Sequence, residues 1–466
     1  MTAQRGVSWQ DSGLFQYRVL TCDFIGDYGI ALAHPLYILG AKIVATLFPM
    51  SMQFYAIAVF SGVGMAVALA LLARILWRLT QNGWAVATAV ITLGLSQMCW
   101  WMSTITEVYT WSLAFLMAEL LCVLNICTAP KYKTLLWWLF LAGINGIHAS
   151  LHNFALLALP VYGLLFLLTN NTAKVALACA LTWLVGAALL VWLFCLELQT
   201  QTFGAAAKSL LFGNGYERVV LSIGHISGKL VLVNIALAFV SLASPCWFFA
   251  IRHLTLEQKH NAFKRCLFAL TCIHFIFWIR YFVPDQATFV LPTLGFAAVW
   301  LGIGCATTQL STKVRAVLLV VGVVCQLTTP LALCAIATHA GIKPARELPF
   351  RLDISYWLLP WKQNETSAQQ FVDEVGKMLH DNDVLITDST SAHPLMAMQA
   401  IRKTPTTWRL ISPYSGETEE DLLALARQHD GHIFVVSPIR GYTPDVLLQM
   451  KPFDKDGILY RMLEAQ

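Results

Sequence analysis

The stretch QDSGLFQYRVLTCDFIGDYGIALAHPLY, residues 10–37, holds three acids and a histidine: Asp11, Asp23, Asp27 and His34. Asp11 is the first candidate for chemistry. Ser12 and Gly13 suit a tight turn that presents its carboxylate. A carboxylate partly desolvated at a membrane surface can serve as a general base. A helix N-cap or a solvated turn uses the same residue types. Asp23 and Asp27 lie four apart and could share a divalent cation or hold their loop against Arg18. Two acids without further ligands do not by themselves make a metal site. His34, before Pro35, could donate to a phosphate or orient a carboxylate. It could equally cap a helix whose first turn begins at the proline.

Further candidates lie later in the chain. Glu107 in TITEVYTW sits at the end of an apolar run, where an acid should face a cavity or an aqueous boundary rather than lipid. It could also be an interfacial anchor. His148, His152 and Asn153 in GIHASLHN mark a break between two apolar runs. The histidines are four apart, which on a helix puts both on one face. That spacing fits zinc, but there is no HExxH pattern and no third ligand, so polar lining of a site is the better reading. Arg280 precedes Asp285 by five residues in WIRYFVPDQATFVLP; the two could pair, or Arg280 could grip a phosphate with its planar fork. Arg218, in the loop FGNGYERVVLSIGH, could join Lys208 in binding a substrate, or the loop could be a plain connector.

These residues must be positioned by a membrane protein. The chain of 466 residues is 57% hydrophobic and 12% charged, with mean hydropathy +0.63. Soluble domains carry roughly 25% charge. The net charge of +5 is modest, and basic residues flanking membrane spans account for it better than a nucleic-acid partner. The twelve cysteines form no CxxC pattern; they read as small apolar residues of helices. Residues 1–18 have no apolar stretch of the kind a cleavable signal peptide needs.

Apolar runs long enough to cross ~30 Å fall at about 53–76, 83–102, 108–127, 174–197, 228–251, 266–283, 288–307 and 315–337. The run 134–168 could hold two short helices broken near HASLHN, so about ten spans are expected. Residues 36–49 suit an interfacial helix. Arg74 and Arg78, Lys131 and Lys133, Lys174, the basic cluster 252–265, and Lys313 with Arg315 occupy alternate short loops. The positive-inside rule makes those loops cytoplasmic. The opening stretch, Glu107, His148, His152, Asp285 and everything beyond about residue 340 then share the outer side. Residues 353–466 alternate helix-like and strand-like segments without a Gly-rich phosphate loop, which predicts a small α/β domain. The expected organisation is an acidic outer loop with an interfacial helix at 1–52, a transmembrane domain at 53–337 and an extracytoplasmic α/β domain at 338–466.

Taken together, DSGLF at 11–15, AHPLY at 33–37, TEVYTW at 106–111, GIHASLHN at 146–153 and VPDQATFVLP at 283–292 resemble the GT-C superfamily of integral-membrane glycosyltransferases. Within it, the likeness is to the protein O-mannosyltransferase-like family first described as a domain of unknown function. The resemblance covers roughly residues 7–310. It implies a polyprenyl-phosphate sugar donor and catalysis on the outer side; beside it we expect a protein of the bacterial inner membrane, surrounded by membrane lipids, that inverts the sugar on transfer to an acceptor hydroxyl. It also implies that Asp11 is the catalytic acid-base residue, with His34, Glu107, His152 and, more loosely, His148 lining the site. Two departures stand out. The family's Glu after DSG is Leu14 here, and only ten residues precede Asp11, where relatives have a membrane helix; a missing or shortened start is the expectation. Two other classes fit a polytopic chain: a transporter or lipid flippase, which usually keeps polar groups at the bilayer midplane, and a non-catalytic scaffold presenting the α/β tail.

Overall fold

The computed structural model describes residues 2–217, 220, 228–251, 260–281, 286–344, 346–403 and 406–463. The chain opens with α1 (Gln10–Thr21) and α2 (Pro35–Thr46). The membrane region follows: α3 (Gln53–Thr80), α4 (Gly83–Gly94), α5 (Gln97–Met102), α6 (Tyr109–Thr128), α7 (Lys131–Leu151) and α8 (Phe154–Leu168). It continues through α9 (Ala173–Gly186), α10 (Ala188–Glu197), α11 (Phe203–Phe212), α12 (Gly228–Ser241) and α13 (Cys246–Ala250) to α14 (Asn261–Arg280), α15 (Leu291–Thr307) and α16 (Thr312–His339).

Fewer helices among the described residues are long and apolar enough to cross alone than the apolar runs predict. Among the described residues, six are long and apolar enough to span a membrane, and α9 with α10 makes a seventh if that pair, bent by 74°, is one span. Three of the runs are interrupted for local reasons. The run 83–102 breaks after Gly94, where Ser96 adopts an extended conformation (ψ 138°). The run 228–251 breaks between Ser241 and Cys246, just ahead of Pro245, which disfavours helix in the residue before it. The bend at Gly186 accompanies close backbone packing. A Cβ on Gly186 would meet the Gly143 carbonyl oxygen at 2.4 Å, and one on Gly146 would meet that of Trp183 at 2.2 Å. The break near HASLHN falls where it was expected, between α7 and α8. Residues 35–46 do form a helix, too short to cross.

The centre of the bundle is α3, α6 and α15, whose buried Leu72, Leu113, Met117, Leu120, Leu294 and Val299 form one core. By contrast α16 turns Val317, Val320, Leu331 and Ile336 outward, an apolar face suited to lipid tails.

After the bundle come α17 (Asp353–Leu358), α18 (Ser367–Met378), β1 (Val384–Ile386), α19 (Ser389–Arg402), β2 (Arg409–Ile411), α20 (Glu419–Gln428), β3 (Ile433–Val435), α21 (Asp445–Met450), β4 (Phe453–Asp456) and β5 (Leu459–Met462). The sheet runs β2-β1-β3-β5-β4. β1 pairs parallel with β2 and β3, and β5 pairs antiparallel with β3 and β4. Gly457, at φ 59°, turns the final hairpin.

The start of the chain packs into this α/β domain. Val7 and Trp9 are buried with Phe371, Leu385, Leu395 and Phe434. Trp9 Nε1 donates to Ser367 Oγ at 2.8 Å, and its ring lies 5.0 Å from Phe371. Backbone links run from Lys362 N–H to the Thr2 carbonyl (2.7 Å) and from Gln4 N–H to the Thr104 carbonyl (2.8 Å). Thr104 Oγ1 in turn donates to the Pro360 carbonyl at 2.6 Å. The first ten residues therefore tie the α/β domain to one end of the bundle.

Candidate active site

DSGLF lies in the first turns of α1 and not in the tight turn expected of it. Positions 11, 15 and 18 then share a helix face, and Asp11, Phe15 and Arg18 line one cavity of about 360 Å³. Asp11 is exposed at the start of the helix. Gly13 is required by close approach: a Cβ there would meet the Ser8 carbonyl oxygen at 2.3 Å and His393 Cβ at 3.1 Å. That absence of a side chain lets α19 lie directly on α1.

The other N-terminal motifs converge on the same place. Ser12 Oγ donates to Glu107 Oε1 at 3.1 Å, and Glu107 is buried. Ser61 of α3 holds the Glu107 backbone on both sides. It accepts the N–H at 2.9 Å and donates to the carbonyl at 2.9 Å. His34 adopts a left-handed φ of 50° just before Pro35 and starts α2. Its Nδ1 donates to the Leu151 carbonyl at 2.9 Å, and its ring stacks on His152 at 5.0 Å. The ring of Tyr109 lies 5.4 Å from His152. His34, Glu107 and Tyr109 line the cavity with Asp11; His152 sits behind His34 against a smaller pocket.

The shared face expected for His148 and His152 does not form. His152 leaves the helix (φ −158°, ψ 138°), and its Nδ1 accepts the Phe154 N–H at 3.1 Å. His148 stays on α7 inside the bundle, where its Nδ1 meets Glu119 Oε1 at 2.8 Å and its Nε2 meets Ser112 Oγ at 2.8 Å. Tyr162 and Asn145 also donate to Glu119, at 2.7 and 3.2 Å. Glu119 is thus a fully buried carboxylate satisfied by its neighbours, and His148 belongs to its network rather than to the cavity wall.

Asp23 takes the second role open to it, holding its loop against Arg18. Asp23 Oδ1 accepts the Ile25 and Gly26 N–H groups at 3.1 and 2.9 Å, and its Oδ2 pairs with Arg18 Nε at 3.4 Å. Asp27 lines the cavity alone, its carboxyl pushed up by burial and by the charge of Asp23, with Arg18 opposing. Among the described residues no three His, Cys, Asp or Glu side chains gather to hold a metal ion. Arg280 is the last residue of α14, adjacent to Tyr281 of the cavity wall. Asp285 and Arg218 lie outside the described residues, so neither the Arg280–Asp285 pair nor a role for Arg218 is drawn from the structure; Tyr216, two residues before Arg218, lines the cavity.

Three groups contribute more than the sequence assigns them. Arg18 is buried, and its guanidinium donates to the carbonyls of Asp23 (3.2 Å), Leu32 (3.3 Å) and Ala33 (2.7 Å). Burial lowers its pKa, with Asp23 and Asp27 pulling the other way. A Cβ on Gly26 (φ 66°) would come within 3.0 Å of that guanidinium. Secondly, the α/β domain supplies Ser389, Thr390, His393 and Tyr414 to the cavity. Thirdly, the membrane helices and α17 supply an aromatic wall. Tyr281 lies 4.7 Å from Phe289, Phe289 lies 5.4 Å from Tyr109, and Trp101 lies 5.4 Å from Trp357. One cavity therefore joins a polar patch around Asp11 to an aromatic patch carried largely by membrane helices.

No protein-family model and no curated protein matches the chain. Solved structures do. ArnT from Cupriavidus metallidurans in the apo state is similar with TM-score 0.62 at 13% identity, covering 99% of this chain and 94% of that one. The same protein bound to undecaprenyl phosphate is similar with TM-score 0.57 at 11% identity, over the same shares. The fold is that of the GT-C glycosyltransferases. The GT-C likeness spans bundle and α/β domain alike, so the tail, which carried none of the sequence resemblance, is part of the shared architecture.

Proposed function

We propose that the protein transfers a sugar from a polyprenyl phosphate to an acceptor hydroxyl, in the cavity that Asp11 lines. The observation that carries this reading is the composition of that cavity: a carboxylate and hydroxyl groups on one side, an aromatic wall on membrane helices on the other. An amphiphile with a sugar phosphate head and an isoprenoid tail matches both patches. The fold likeness to a protein bound to undecaprenyl phosphate supports that class of donor.

In this mechanism Asp11 accepts the proton of the acceptor hydroxyl as its oxygen bonds to the anomeric carbon. The bond from that carbon to the phosphate oxygen breaks, and the electron pair leaves on the lipid phosphate. Attack opposite the leaving group inverts the anomeric configuration. To Arg280, next in sequence to Tyr281 of the wall, we assign the stabilisation of the developing charge. Glu107 holds Ser12, and so the start of α1, in register. His34 and His152 brace the wall beneath.

The site belongs on the extracytoplasmic side. Most basic residues of the spanning helices sit at the ends away from it, Arg280 being an exception: Arg78 at the end of α3, Lys133 at the start of α7, Lys264 and Arg265 at the start of α14, Lys313 and Arg315 at the start of α16. His34, Glu107, His152 and Tyr281 lie at the opposite ends, as does the α/β domain. That asymmetry follows the positive-inside rule.

The test is transfer itself. Membranes containing the protein, supplied with undecaprenyl phosphate bearing a labelled hexose, are expected to pass the label to an acceptor and release undecaprenyl phosphate. Translocation of the intact lipid without cleavage of the sugar would instead establish a flippase.

A further inference from the structure

Tyr28, Tyr414 and His393 form a hydrogen-bond chain across the junction between the N-terminal segment and the α/β domain. Tyr28 Oη lies 2.7 Å from Tyr414 Oη, Tyr414 Oη lies 2.6 Å from His393 Nε2, and His393 Nδ1 lies 2.8 Å from the Gln10 carbonyl oxygen. The last link fixes the direction of every proton. A carbonyl oxygen only accepts, so His393 Nδ1 carries the hydrogen. In a neutral imidazole Nε2 is then an acceptor, and the Tyr414 hydroxyl donates to it. Tyr414 has one proton, so the bond between the phenols is donated by Tyr28. The ring is neutral at neutral pH, because burial pushes His393 down to about 4 against the pull of the Gln10 carbonyl and Asp388.

Tyr28 lines the cavity with its proton already committed. What its oxygen still offers is lone pairs. A phosphate oxygen or a carboxylate, which only accepts, has no use for them. A hydroxyl, which donates, does. The position is beside Asp11, whose charge raises the pKa of both phenols as a smaller contribution than their burial. In the transfer step the acceptor's reacting hydroxyl gives its proton to Asp11, and the sugar ring, bonded at the reacting carbon, brings its own hydroxyls into the cavity that Tyr28 lines.

We propose that Tyr28 accepts a hydrogen bond from a hydroxyl of the donor sugar, and that Tyr414 and His393 of the α/β domain hold it in that role. Tyr28 is then a specificity residue, and Tyr414 and His393 are positioning residues. The proposal rests on the transfer reading above. It gives the α/β domain a chemical task, since its two side chains turn a phenol that could otherwise donate to a phosphate into an acceptor for a sugar.

The test compares two kinds of lipid on the purified full-length protein. One is undecaprenyl phosphate; the other is the same lipid bearing mannose, glucose or galactose. The wild type is expected to bind at least one sugar-bearing lipid more tightly than the bare phosphate. Tyr28→Phe keeps the ring and removes the oxygen. It is expected to bind the bare phosphate as the wild type does and to lose about fivefold for that sugar-bearing lipid, the size of one hydrogen bond. Tyr414→Phe, which removes the group that takes the Tyr28 proton, is expected to share the sugar-specific loss and stands in if Tyr28→Phe does not fold. Equal loss for both lipids, no loss for either, or a wild type that gains nothing from any of the three sugars would overturn the proposal. A wild type that binds neither lipid would overturn the donor reading beneath it, and the proposal with it.

Discussion

Asp11→Asn abolishes sugar transfer while the protein stays folded and inserted. Asparagine keeps the size and hydrogen-bonding shape of the side chain but cannot take a proton from an attacking hydroxyl. Loss of a general base costs about 10²–10⁴ in rate. The structural cost is small, because Asp11 is exposed in the first turn of α1. A carboxylate there interacts with the helix dipole by only about 0.3–1 kcal/mol. Rate and stability should therefore separate: transfer falls to background, while thermal unfolding in detergent and the elution profile match the wild type. A folded Asp11→Asn protein with full activity would remove Asp11 from the mechanism.

Arg18→Leu is expected to lower stability and activity together. The guanidinium bonds the Asp23, Leu32 and Ala33 carbonyls in one place. Leucine fills part of the volume and leaves those acceptors, and the Asp23 carboxylate, without their donor. Asp23 is about one-third exposed and can be hydrated, so the ion pair is the smaller part of the loss. The stranded carbonyls dominate, and the total is about 3 kcal/mol. The segment released carries Asp27, Tyr28 and His34, three residues of the cavity wall, so transfer falls even in protein that remains folded. Arg18→Lys restores the charge without the fork and should recover only part of each loss. Thermal unfolding of the three proteins checks the order; an Arg18→Leu protein as stable as the wild type would contradict the role assigned to this side chain.

Much of this architecture is legible in the sequence, and what is not has physical reasons. Apolar length and the breaks at HASLHN and Pro35 mark helices because they are local signals. The run 83–102 is continuous in hydropathy, and only the backbone turn at Ser96 divides it. The same holds for DSGLF. Ser and Gly after Asp read as a turn, yet Gly13 is there because α19 lies against α1. That reason sits about 380 residues away and leaves no local trace. The partners Gln10–His393 and Tyr28–Tyr414 are separated by 383 and 386 positions. No periodicity or motif links them, so the sequence marks the tail as a small α/β domain without showing that Ser389, Thr390, His393 and Tyr414 line the cavity. Arg18 did have a signal. It stands seven residues from Asp11, two turns along one face, but that spacing counts only once the segment is known to be helical. The hairpin of β4 and β5 turns at Gly457-Ile458, where Gly457 takes the positive φ that such a loop needs.

The central claim is that the donor phosphate docks beside Asp11. The direct measurement is a structure of the purified protein with undecaprenyl phosphate. The account predicts phosphate density in the cavity shared by Asp11, Tyr28 and Tyr281, within about one sugar's width of the Asp11 carboxylate, with the isoprenoid chain along the aromatic wall. Phosphate bound elsewhere, or on a polar path through the middle of the bundle past Glu119, would contradict it.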